Sequence, residues 1–146
     1  MKTLKIIVTL SLIVGFTFNK VFAQQKVAVA IAKKETSCGS STDLGYYWYS
    51  SPSQKIYELK SEAKKSAENK YSDYESIESK VAYSGCTYMI IISARISKNG
   101  CTITTYGVGF ANDKSSALDQ AIRHLTGRNW SWKKSDGYTI AEEKFF

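Results

Sequence analysis

Twelve residues near the C-terminal end hold most of the recognition chemistry this chain offers. The stretch Arg123-His124-Leu125-Thr126-Gly127-Arg128-Asn129-Trp130-Ser131-Trp132-Lys133-Lys134 carries four cations that stay charged at neutral pH and two tryptophans. Trp130 and Trp132 stand two apart, so an extended segment puts both rings on one face. Aromatic faces beside cations grip sugars, acidic glycans or single-stranded nucleic acid through stacking and charge. Arg123, Arg128, Trp130, Trp132, Lys133 and Lys134 are therefore the candidate ligand-binding residues. The competing reading folds the tryptophans over the core, where small domains bury most of theirs, and leaves the lysines to solvate a loop. The row Tyr46-Tyr47-Trp48-Tyr49 poses the same choice, because one of its faces must be core.

Catalytic sets are thinner. A cysteine hydrolase needs a thiolate, a histidine and an orienting side chain, and the chain offers Cys38, its one histidine His124, and Asn129. Nothing in the polar stretch Ser37-Cys38-Gly39-Ser40 ties it to His124. That histidine sits late in a predicted helix, where a cation suits the dipole. No Gly-x-Ser-x-Gly elbow is present. Three cysteines and one histidine are a poor zinc set for an exported chain. Gly107-x-Gly109 lacks the Gly-Lys-Ser/Thr of a phosphate loop. Glu142-Glu143 has no placed partner for glycoside hydrolysis and reads as terminal charge. The expectation is a protein without catalytic residues, metal or cofactor.

The N-terminal residues say where the protein works. Lys2 and Lys5 precede an apolar run from Ile6 to Phe18, and Val21-Phe22-Ala23 leads into the polar pair Gln24-Gln25. This is the order of a cleavable secretory signal over residues 1–23, cut after Ala23. Its apolar core falls short of the ~20 residues that span a bilayer. Three of the 20 basic residues lie in it, so the mature chain carries a formal charge of +4 rather than +7. A balance that mild does not call for nucleic acid, and export argues against it as a partner. No second long apolar run follows, so no membrane span is expected in residues 24–146. The expected partners are an envelope polysaccharide or a secreted protein. The function classes that fit are an exported interaction module, periplasmic or secreted, and, as the alternative, an inhibitor or immunity-like protein acting on a secreted enzyme.

The elements that must position these residues read as one α+β domain. Val27-Ala28-Val29-Ala30-Ile31-Ala32 alternates β-branched residues with alanine, a strand with one crowded and one close-packed face. Tyr46–Tyr49 is a second strand. Ser51-Pro52-Ser53-Gln54 predicts a capped helix start, and Ile56, Leu59, Ala63 and Ala67 give the helix its apolar stripe, which ends near Lys70. Tyr71 to Tyr83 reads either as a short helix or as a polar connection. Tyr88 to Ile96 is apolar on both faces and predicts a central strand. Asn99-Gly100 predicts a tight hairpin turn into Cys101–Phe110, where Gly107 and Gly109 mark a bulge or a close backbone approach. Asp113 predicts a second helix cap. Ala117, Leu118, Ala121, Ile122 and Leu125 form its stripe, and Gly127 its stop. A last strand falls at Tyr138–Ala141. The order is ββα-ββα-β, a mostly antiparallel sheet with two helices on one face. Val27–Lys70 and Tyr88–Arg128 share one pattern, that of a decayed duplication or of two ordinary ββα units.

Export also makes one disulfide and one leftover thiol the expectation for three cysteines. Cys101 sits beside the hairpin turn, while Cys86 lies at the far end of the partner strand. At ~3.3 Å per residue the two are about 30 Å apart, and a disulfide needs Cα atoms within about 7 Å. The expected pair is Cys38–Cys101, both at hairpin turns, with Cys38–Cys86 second. Peptide mapping of unreduced protein is expected to recover a Cys38–Cys101 peptide; a Cys86–Cys101 peptide would contradict the hairpin register.

Overall fold

A computed structural model describes residues 24–146, so the predicted leader, 1–23, lies outside the described residues. The chain runs β1 (Gln25–Glu35), β2 (Ser41–Ser51), α1 (Ile56–Lys70), β3 (Ser76–Cys86), β4 (Tyr88–Lys98), β5 (Cys101–Ala111), α2 (Lys114–Arg128), a short 3-10 turn (Lys134–Asp136) and β6 (Thr139–Phe145). The fold is α+β with the ββα-ββα-β order read from the sequence, and a further strand, β3, joins the two halves. The strands form two antiparallel sheets of three, ordered β2-β1-β3 and β5-β4-β6.

Both halves therefore have the same connectivity. A hairpin is followed by a helix, and a returning strand pairs with the hairpin's first strand. Each helix covers one face of its own sheet. Ala28 and Ala30 of β1 pack against Leu59, Ala63 and Ala67 of α1, while Ile90, Ile92 and Ile103 pack against Ala117, Ala121 and Leu125 of α2. The opposite faces meet each other: Val27, Val29 and Ile31 of the first sheet share a core with Met89, Ile91, Val108 and Phe110 of the second. The layers are helix, sheet, sheet, helix. The alternation of β1 thus puts its branched residues between the sheets and its alanines beneath a closely packed helix. β4 pairs on both sides and is buried on both faces.

The turns follow local chemistry. Asn99 (φ 51°) and Gly100 (φ 80°) make a two-residue connection in which Lys98 faces Cys101, the left-handed pair that a tight hairpin needs. The Asp113 carboxylate accepts the Ser116 N–H at 2.8 Å and caps α2. Cys38 and Cys101 are joined, Cα atoms 6.2 Å apart and 63 residues distant in sequence, so the staple links the turns of the two hairpins. Cys86 is free and buried, its thiol pushed up to about 11 by that burial.

Four expectations need correction. Ser51-Pro52-Ser53-Gln54 does not open α1. The Ser51 hydroxyl accepts the Gln54 N–H at 3.1 Å and turns the chain out of β2. The helix begins at Ile56, where the Glu58 carboxylate accepts the Lys55 N–H at 3.2 Å. Tyr71–Tyr83 is neither helix nor mere connection, because its second part forms β3 along the free side of β1. Gly127 does not stop α2, which continues through Arg128 because that side chain is anchored beyond it. β6 reaches Phe145, so Glu142 and Glu143 face Ile91 and Ile90 across a ladder and are not loose terminal charge.

Gly107 and Gly109 are needed for close approach. A Cβ on Gly109 would strike the carbonyl oxygen of Ala117, and one on Gly107 that of Ala121. Gly127 has open space around it. Gly109→Ala is expected to lower stability by about 2–3 kcal/mol, the scale of overpacking. Gly127→Ala, in the same helix–strand unit, should raise it by about 0.5–1 kcal/mol. Equilibrium urea unfolding of the two variants checks both signs.

Candidate functional site

β5 is an edge strand, and edges expose a row of unpaired N–H and C=O groups. Here side chains fill that row. The N–H of Thr104 goes to the Thr42 hydroxyl (2.9 Å), that of Tyr106 to Asp43 Oδ2 (2.7 Å), that of Val108 to His124 Nδ1 (3.0 Å) and that of Phe110 to Gln120 Oε1 (3.3 Å). Arg128 Nη1 donates to the Tyr106 carbonyl at 2.6 Å. The first two acceptors come from β2 and the other two from α2, so the edge is sealed jointly by both halves.

Arg128 is the hub of this seal. It forms a bidentate pair with Asp43, Nη1–Oδ2 2.6 Å and Nη2–Oδ1 2.7 Å, and both side chains are almost wholly buried. Its Nε lies 3.0 Å from Glu78 Oε2, an ion pair without hydrogen-bond alignment. Lys33 Nζ is 3.1 Å from the same oxygen. Glu78 Oε1 meets His124 Nε2 at 3.2 Å. Because Nδ1 of His124 accepts from Val108, the proton sits on Nε2 and is donated to Glu78. This hydrogen bond, with the Arg128 and Lys33 charges, holds the Glu78 carboxyl at about 2 against the opposing effect of burial.

The candidate stretch is divided by this arrangement. Arg128 is committed to Asp43. Trp132 is 2 % exposed, packs in the α2 core and donates Nε1–H to the Gly137 carbonyl at 3.2 Å. Trp130 is 85 % exposed, so the two tryptophans do not share a face. A turn closed by the Trp132 N–H on the Asn129 carbonyl at 2.9 Å breaks the extended path that would have aligned them. Arg123, Lys133 and Lys134 are exposed with Trp130. The hydrolase set comes apart altogether. Cys38 is in the disulfide, His124 spends both ring nitrogens on Val108 and Glu78, and Asn129 donates to Thr105 Oγ1 at 2.8 Å. Among the described residues no group of acidic, histidine or cysteine side chains could hold a metal, and no helix is long and apolar enough to cross a membrane.

The concave surface lies elsewhere. A cleft of about 590 Å³ is lined by Tyr46, Tyr47, Tyr49, Tyr71, Lys70 and Glu142. A second, of about 600 Å³, is lined by Arg95, Thr104, Asp136, Tyr138 and Thr139. Tyr106 lines both, so the tyrosine-walled groove of the first cleft shares one side chain with the second. The Tyr46 and Tyr106 rings sit edge to face at 5.1 Å. The Tyr46 hydroxyl donates to the Ala141 carbonyl at 3.1 Å and to Glu142 at 3.4 Å, and its phenol is pushed up to about 12 by burial and by that carboxylate. Tyr47 and Tyr49 stack at 5.7 Å. Tyr71 lies over Gly45, where a Cβ would meet its ring.

The tyrosine row was visible in the sequence, but Tyr71, Tyr106 and Lys70 were not singled out, and Glu142 was read as terminal charge. They come from the end of α1 (Lys70 and Tyr71), from β5 and from β6, and only tertiary packing gathers them. No family model, no curated protein and no solved structure matches this chain.

The Glu78 carboxyl is held below its unfolded value of ~4.3, so it contributes stability above about pH 4.3 that is lost as pH falls toward 2. Urea melts between pH 7 and pH 2 should show a steeper acid loss for the wild type than for Glu78→Gln. Asp113, also held at about 2 by the Ser116 N–H, contributes equally to both proteins and cancels. Parallel profiles would remove Glu78 from the account.

Proposed function

We propose that this protein is an exported binding module that holds an envelope glycan in the tyrosine-lined groove beside Tyr106. The observation that carries the reading is the lining of that groove, where Tyr46, Tyr47, Tyr49, Tyr71 and Tyr106 stand with Lys70 and Glu142. A second cleft that shares Tyr106 leaves room for a chain-like ligand to extend. Tyrosine faces stack on the apolar faces of sugar rings, and phenols, carboxylates and cations beside them bond sugar hydroxyls. The charged, apolar leader and the disulfide support export. The engagement of Cys38 and His124 in structural bonds supports binding over hydrolysis.

The second reading, an inhibitor or immunity-like protein docking on a secreted enzyme, is favoured by Trp130. A tryptophan 85 % exposed beside Lys133 and Lys134 is the kind of side chain that anchors a protein interface. A stapled fold limits the ordering cost of such docking.

Retention on immobilised envelope polysaccharide separates the two. Tyr47→Ala removes a ring that packing does not require, and is expected to weaken retention about tenfold, the scale of one aromatic contact. Trp130→Ala should leave it unchanged. Loss with Trp130→Ala alone would move the site to the loop, and recovery of one stoichiometric secreted protein would favour the second reading.

A further inference from the structure

The shared connectivity of the halves allows their helix ends to be compared. Each helix has 15 residues, buries a residue in each of three successive turns (Leu59, Ala63, Ala67; Ala117, Ala121, Leu125) and ends on a basic residue, Lys70 or Arg128. Each is closed by a residue whose N–H returns to the carbonyl four residues back, Tyr71 to Ala67 and Asn129 to Leu125. The closing side chains then reach the second strand of their own hairpin. Tyr71 lies over Gly45, and Asn129 bonds Thr105. Lys70 and Arg128 are equivalent groups.

Their surroundings differ in one respect. Arg128 meets a carboxylate, Asp43, supplied by the other half. Lys70 meets none among the described residues. Its ammonium stands over the rings of Tyr47 (5.8 Å) and Tyr71 (5.5 Å) at the wall of the groove. One half fills its cationic helix end with protein, and the other leaves it open to a ligand. The remaining charge in that cleft, Glu142, is engaged by the Tyr46 hydroxyl.

We propose that the groove selects an acidic sugar, a pyranose ring bearing a carboxylate, which stands at Lys70 as Asp43 stands at Arg128. This rests on the glycan reading above and names its ligand class. The ring lies against Tyr47, the carboxylate faces the ammonium, and the ring hydroxyls face Glu142. A single ammonium matches a single carboxylate.

The test is a calorimetric titration with tetragalacturonic acid and with its carboxyl-reduced counterpart, which keeps ring and linkage and lacks only the charge. The wild type should bind the acid about three- to fivefold more tightly, the range of one exposed ion pair. Lys70→Met, which keeps most of the side chain's length, should bind both alike at the affinity of the reduced form. Lys133→Met should keep the wild-type preference. Equal binding by the wild type, or a preference that survives in Lys70→Met, would overturn the carboxylate assignment and leave glycan binding standing. Binding of neither tetrasaccharide would overturn the glycan reading and this inference with it.

Discussion

The pairing of Asp43 with Arg128 is the constraint from which most of this structure follows. A guanidinium taken out of water costs several kcal/mol unless it is paired with a charge and hydrogen-bonded. Arg128 is placed where Asp43 and the Tyr106 carbonyl can meet that demand. To reach them α2 must run a residue past Gly127, must lie tight on Gly107 and Gly109, and must bring the second sheet against β2. The pair therefore fixes the register between halves that a purely apolar interface would leave free to slide.

The same pair takes part in closing the edge of β5, where Asp43 accepts the Tyr106 N–H and Arg128 donates to the Tyr106 carbonyl. Most edge strands are blunted by charge, twist or proline. Here the exposed N–H groups at 104, 106, 108 and 110 each find a side-chain acceptor, and the acceptors come from both halves. His124 belongs to this seal. Its late position on the helix invites a cationic, dipole-bound role, but accepting from Val108 requires the neutral ring. The disulfide works in the same direction as the seal, tying the turns at the end where β2 and β5 begin side by side.

Much of the fold was legible because it was written locally. The valine–alanine alternation of β1, the Asn99-Gly100 turn, the Asp113 cap and both helix stripes depend on near neighbours. The Cys38–Cys101 pairing was legible for a different reason, since strand geometry ruled out the nearer partner. β3 was not legible. Its inner face carries Glu78 rather than an apolar residue, because that face meets Arg128 and His124, and only Ile77 and Val81 hint at a period of two. The candidate site was half legible. Charge and aromatic content marked the stretch at 123–134, but no local rule says that Trp132 turns inward while Trp130 stays out, because the difference is made by a carbonyl at Gly137 and by the space under α2. The groove needed tyrosines from β2, from the end of α1 and from β5.

The repeated connectivity has a consequence for how such a chain can vary. Where one connectivity occurs twice in a chain, the two helix ends need not carry the same duty. The end at Arg128 is locked, since a change there opens the junction between the halves. Its counterpart at Lys70 has no carboxylate partner among the described residues and stands at the rim of a cleft. Substitution should therefore be tolerated on the rim of the first half, with the second half acting as its keel.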